Sequence, residues 1–172
     1  VVHIDAPQDA ELIRYNDELN ATYLWYGKEG RAAGVRQLKQ DSNASWAGQG
    51  NLANRAASKS SSVYNNSRND LVDAVKNDVV SLDKVPEAEL PQAMKPMSEE
   101  ERVAYVDEQT TKRAEVQAKI RELTAEREKF VAKERQRLAT SGEATLGDVI
   151  VKSVREQLDD AGFETGTVGQ AE

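Results

Sequence analysis

The chain has no cysteine and a single histidine, His3. A disulfide scaffold, a thiolate nucleophile and a Cys/His zinc site are therefore excluded, and a histidine-based triad has no ordinary partner set. Aromatic residues make up 5% of the 172 residues, and only 35 are Leu, Ile, Val or Phe, which argues against a large aromatic-rich core. No apolar run approaches the ~20 residues needed to cross a bilayer, and the amphipathic stretches lack the basic polar face and aromatic anchors of an interfacial helix. Membrane insertion of this segment is not expected. An excess of positive charge is also lacking. Thirty acidic and 23 basic side chains, mixed along the chain, leave a net charge of −7, which makes nucleic acid a poor partner. No catalytic residue, cofactor or metal site emerges from the sequence.

What is present reads as helix. Val1, Val2 and Ile4 form a short β-prone run closed by Asp5-Ala6-Pro7, so residues 1–7 read as a strand-like exit or linker from an upstream domain. The chain opens without an initiator Met or a basic-then-apolar leader, and is expected to be a fragment or a processed chain. From Pro7, the residues Leu12, Tyr15, Leu19, Tyr23 and Tyr26 recur every three or four positions until Gly27, the pattern of one amphipathic helix. Residues 28–62 are rich in Gly, Ser, Asn and Gln, with helices expected over about 29–44 and 50–62. Ser58-Lys59 superficially resembles a Ser-x-x-Lys nucleophile, but Lys59 follows Ser58 directly and no base or oxyanion-hole motif accompanies it. The sequons at Asn20, Asn43 and Asn65 read as chance, since Asn20 lies within the first helix.

Ser67 precedes Asp70 by three residues, as at the start of a short helix carrying Leu71, Val72, Val75 and Val79. Pro86, Pro91 and Pro96, five residues apart, restrict 81–97 to short turns of helix and loop. These pieces together make 8–97 a helical segment with Gly/Ser/Asn-rich and Pro-rich connections.

Ser98-Glu99-Glu100-Glu101 is a capping box with three carboxylates at a helix N-terminus. No Gly or Pro follows until past Ala139, so 98–139 reads as one helix of about 40 residues and roughly 60 Å. Val116, Ile120, Leu123 and Phe130 fall on an alternating three-four register, with Arg127 and Glu134 at two seam positions, which resembles an imperfect coiled-coil seam. The carboxylates of this helix read as a solvated face rather than as an acid–base or Ca²⁺ site. Thr145 and Asp148 cap a last amphipathic helix within 140–163, ended by Gly162 with Phe163 folding back, and 164–172 reads as a flexible tail. The fold class expected is all-α: an elongated bundle or hairpin with one long coiled-coil-like helix, preceded by a short strand-like segment.

Several stretches resemble a known group. They are 4–11 running into Leu19-Asn20-Ala21-Thr22-Tyr23 and Tyr26-Gly27, then Arg55-Ala56-Ala57-Ser58-Lys59-Ser60, Tyr64-Asn65-Asn66-Ser67, Asp70-Leu71-Val72-Asp73-Ala74, 97–106, and Ile120-Arg121-Glu122-Leu123 with Arg127-Glu128. Together they resemble the region that follows the von Willebrand factor A (vWA) domain in exported bacterial proteins. The resemblance implies an upstream α/β adhesion domain, a helical C-terminal extension here, and a periplasmic or extracellular location. The Asp-x-Ser-x-Ser metal motif of that domain is not in this chain, so the resemblance gives no metal or ligand adhesion to these residues. The stretch 41–50 around Trp46 departs from it.

Two readings follow. In the first, the chain is a non-catalytic structural or protein-interaction module that meets the upstream domain, a second copy through the Val116, Ile120, Leu123 and Phe130 seam, or both. In the second, Tyr15, Tyr23, Trp25 and Tyr26, four of the nine aromatic residues, form a small-ligand or enzymatic surface.

Overall fold

A computed structural model of the chain describes residues 4–140 and 146–162, apart from the side chains of 139, 140, 146–149 and 159. Among the described residues the protein is all-α, with six α-helices and no strand beyond an isolated antiparallel bridge between Trp25 and Asp70. The helices are α1 (Asp9–Ala21), α2 (Gly30–Trp46), α3 (Gln49–Ser60), α4 (Leu71–Lys76), α5 (Glu99–Thr140) and α6 (Leu146–Asp160). Asp5–Glu128 forms one compact unit, and the described residues from Lys129 onward belong to a second with Ile4.

In the first unit, α3 packs against both α1 and α2. The reversal between α2 and α3 turns on Gly48, whose φ of +127° is open to glycine and strained for other residues. Leu12 and Leu19 of α1, Ala53 and Ala56 of α3, and Val116 and Ile120 of α5 close one apolar core. Leu12, Leu19 and Ile120 are fully buried, each stabilising the fold by about 1.5–3 kcal/mol. Leu24, Leu71, Val72, Val85, Leu90, Met94 and Val106 form a second core.

The proline-spaced segment makes three single 3₁₀ turns, Leu82–Lys84, Glu87–Glu89 and Gln92–Met94, because each proline removes an amide donor and resets the chain. The Ser98 box closes reciprocally: the Ser98 amide donates to Glu101 Oε2 at 2.7 Å, and the Glu101 amide to Ser98 Oγ at 3.2 Å. At α4 the cap is Asp70, which accepts from the Asp73 amide; Ser67 lies outside the helix and donates to the Asp73 carbonyl.

The first helix ends sooner than its periodicity suggests, at Ala21 rather than near Gly27. Thr22 keeps the α-helical conformation as the C-cap, and residues 23–26 leave the helix because long-range partners hold this crossing. The Leu24 amide donates to Asp70 Oδ1 at 2.7 Å, the Leu71 amide donates to the Leu24 carbonyl at 2.9 Å, and Arg113 donates to the Thr22 carbonyl at 2.7 Å. Tyr23 and Tyr26 therefore belong to this extended crossing, not to α1. In the second unit α6 ends before Gly162, which has a φ of +79°. The 1–3 run, the Thr145 cap, Phe163 and the 164–172 tail lie outside the described residues.

Candidate functional site

The site grows from an unusual property of α2. Its buried positions are Gly30, Gly34, Gln37 and Asp41, a turn apart, so the face turned inward is polar or bare. Its large apolar side chains point outward, with Val35 59% and Leu38 60% exposed. An ordinary amphipathic helix does the reverse.

Polar contacts explain the inversion. Asp41 Oδ2 accepts from Lys59 Nζ at 2.8 Å, Asn20 Nδ2 at 2.7 Å and Asn16 Nδ2 at 3.1 Å, while Oδ1 accepts from Arg55 Nε. Asn20 Oδ1 takes a second bond from Lys59 at 2.8 Å and one from Gln37 at 3.0 Å. Burial works against the Asp41 carboxylate, but Lys59, Asn20 and Arg55 outweigh it and hold its pKa down to about 2. The Lys59 side chain is fully buried; burial lowers its pKa, and Asp41 opposes that shift.

A second buried cluster anchors the crossing that faces α2. All five guanidinium N–H groups of Arg113 have acceptors, on Thr22, Asp70 and Asp73. Burial pushes the Asp70 carboxyl up against the opposing charge of Arg113. Arg113 itself is raised, because Asp70 and Asp73 outweigh its own burial. The guanidinium lies 4.3 Å from the centre of the Tyr23 ring, and Tyr23 stacks on Trp25 with centroids 5.0 Å apart and planes 10° off parallel. Burial raises the Tyr23 hydroxyl above its ordinary pKa. Trp25 ends the stack against α2. A Cβ at Gly34 would lie 2.8 Å from Trp25 Nε1, and one at Gly30 would lie 2.9 Å from the Trp25 carbonyl carbon, so both positions need glycine for this approach.

On the outer flank of this stack lies an open groove of about 790 Å³. Val35 and Leu38 of α2 form one wall, Tyr23, Leu24 and Trp25 the floor, and residues 88–93 with Tyr105 the other side. Arg31 and Lys95 stand at its margins with Glu89. Among the described residues no group of three His, Asp or Glu side chains converges to hold a metal ion.

The sequence candidates are distributed as follows. Tyr23 and Trp25 line the groove. Tyr15 lies elsewhere, under Arg14 and beside Val116 and Lys119, and Tyr26 donates its hydroxyl to the Ser67 carbonyl at 2.8 Å. Of the seam, Val116 and Ile120 are buried within the chain against α1 and α3, Leu123 is half-buried against the same core, and Phe130 is half-buried in the second unit. Arg127, a seam position, pairs with Asp9 and donates to Asn54 Oδ1 at 2.9 Å, which satisfies its charge where a coiled coil would place an apolar knob. Sequence reasoning missed Val35, Leu38, Asp41, Lys59 and Arg113. Only Arg113 carried a signal, since the seam register extended back from Val116 passes through 113, 109 and 106. No protein-family model, curated protein or solved structure matches this chain. No helix among the described residues is long and apolar enough to cross a membrane.

Proposed function

We propose that the chain is a non-catalytic protein-interaction module whose docking surface is the groove beside α2. The observation that carries this reading is the inversion of α2: a helix that buries its polar face and exposes Val35 and Leu38 presents apolar surface that its own fold does not cover. Within each of the two buried charged clusters the side chains bond chiefly to members of the same cluster and to backbone, which suits a rigid support for that surface. We further propose, on the resemblance alone, that the module is the C-terminal extension of an exported vWA-type adhesion or assembly protein and meets that upstream domain.

A second reading, a small-ligand site, is favoured by Tyr23 and Trp25 lining a groove of about 790 Å³. Its open form and its position beside an apolar helix flank fit a protein segment better.

The test is site-specific photo-crosslinking in the cells that make the protein, with a benzophenone side chain at Leu38 or, as control, at Arg36 on a different exposed side of α2. A discrete protein adduct from position 38 and none from 36 supports the reading. Absence of an adduct at 38 overturns it.

A further inference from the structure

The buried cluster where α1, α2 and α3 meet brings an amine, an amide and a carboxylate together. Lys59 Nζ of α3 lies 2.8 Å from Asn20 Oδ1 of α1 and 2.8 Å from Asp41 Oδ2 of α2, and that same Asp41 oxygen accepts from Asn20 Nδ2 at 2.7 Å. One carboxylate oxygen therefore touches both the amine and the amide nitrogen that the amine could displace. Neutralising Asp41 uses only one of these Lys59 contacts. The Asn20 carbonyl is also polarised, because Gln37 Nε2 donates to Oδ1 at 3.0 Å, and the Tyr64 hydroxyl, donating to Gln37 Oε1 at 3.1 Å, fixes which way that amide faces. Lys59 is fully buried and Asp41 and Gln37 are buried beside it, so bulk water is kept from the amine. Burial lowers the Lys59 pKa and so favours the neutral, nucleophilic form.

We propose that Lys59 and Asn20 join in an isopeptide bond, with Asp41 carrying the protons and Gln37 holding the carbonyl oxygen, so that α1 and α3 become covalently tied. Asp41 Oδ2 takes a proton from the Lys59 ammonium, and the freed lone pair of Nζ attacks Asn20 Cγ while Oδ1 carries the negative charge beneath Gln37 Nε2. As the carbonyl re-forms, the Cγ–Nδ2 bond breaks. Two protons in all pass from Nζ to Nδ2 by way of Asp41, so the nitrogen departs as ammonium, Asp41 is left ionised, and no other reactant is needed. Until that bond forms the two charged side chains remain an ion pair. The reaction is a single event within the chain, not turnover of a substrate, and it is independent of the interaction reading. Because α2 lies between residues 20 and 59, the bond closes a covalent loop that contains the whole of that helix.

The test is mass spectrometry of the full chain, intact and after trypsin. The wild-type chain is expected to be lighter than its sequence mass by one ammonia. Trypsin cannot cut after a linked Lys59, so the digest is expected to hold a branched peptide of residues 15–28 joined to 56–68, which fragmentation locates at Asn20 and Lys59. Full sequence mass with residues 56–59 released as a separate peptide overturns the proposal, and so does loss of ammonia without the branched peptide. Asp41→Asn keeps both reacting groups but removes the proton carrier, and its linked fraction is expected to fall tenfold or more. Gln37→Met leaves the Asp41–Lys59 pair whole and tests the reaction separately from the stability of that pair. In freshly synthesised chain it is expected to slow the appearance of the linked form by about a hundredfold, the effect of losing one donor to a developing oxyanion. Either variant, folded by circular dichroism and linked as fast as the wild type, overturns the assignment.

Discussion

Asp41 and Lys59 join α2 to α3 through a buried ion pair, and the two partners respond unequally to loss of the other. Lys59 is fully buried, and apart from Asp41 its ammonium donates to Asn20 Oδ1. Replacement Asp41→Asn therefore removes the hydrogen-bonded counter-charge of a buried cation, a situation that costs about 3–5 kcal/mol. An upper limit comes from letting Lys59 lose its proton: moving a lysine from about 10.4 to neutral at pH 7 costs about 4–5 kcal/mol. The reverse change, Lys59→Met, leaves Asp41 still bonded to Arg55, Asn16 and Asn20, and should cost only about 1–2 kcal/mol. Urea denaturation at pH 7 measures both, with Asp41→Asn moving the midpoint by roughly 1.5–2.5 M for a slope near 2 kcal/mol/M. The sign of the pH response is a further check. Lys59 has a folded pKa below its unfolded value, so the unfolded state binds the proton more tightly and stability rises with pH between the two values. Asp41→Asn widens that interval, and the variant should gain stability from pH 7 towards 10. A Lys59→Met loss larger than that of Asp41→Asn, or an Asp41→Asn chain within about 1 kcal/mol of the wild type, would refute this reasoning.

Acid titration gives a related outcome. With Asp41 held at about 2 against 3.8 in the unfolded chain, it contributes about 2 kcal/mol that is fully present above pH 4 and lost as pH falls to 2, and Asp41→Asn should flatten that limb of a stability–pH curve. Gly34→Ala gains about 1 kcal/mol of helix propensity but drives a methyl into the Trp25 ring, at about 1–3 kcal/mol. A net loss with altered Trp25 fluorescence is expected, and a stabilised variant would show that the close approach is unimportant. Arg113→Met strips Asp70 of its guanidinium and should cost about 3–5 kcal/mol by thermal denaturation, whereas a neutral effect would mean the cluster holds nothing together.

Local rules carried well wherever the decisive partners were close in sequence. The Ser98–Glu101 box and the proline-spaced turns of 81–97 each involve residues within a few positions, and their elements stand where the sequence places them. Helix α1 was misjudged at its end because the residues that stop it, Asp70 and Arg113, lie 46 and 91 positions from Leu24 and Thr22. Periodicity also identified Val116 and Ile120 as one face of α5, though not that α1 and α3 would cover it. The groove was hidden for a different reason. Hydrophobic periodicity assumes that apolar residues point inward, and on α2 the inward residues are Gly30, Gly34, Gln37 and Asp41. A Gly-rich, polar stretch reads as interruption unless its glycines are matched to the indole they admit. Lys59 likewise resembled part of a failed nucleophile motif when its role is to neutralise Asp41.

Helix α2 holds the fold with its polar face and leaves Val35 and Leu38 exposed. The most direct measurement is the urea-unfolding free energy of the chain carrying Val35→Asp and Leu38→Asp together. A change within about 1 kcal/mol is expected, as for exposed side chains. A loss of about 2–5 kcal/mol, the size of a core truncation, would contradict it, because Val35 and Leu38 would then be holding the chain itself together.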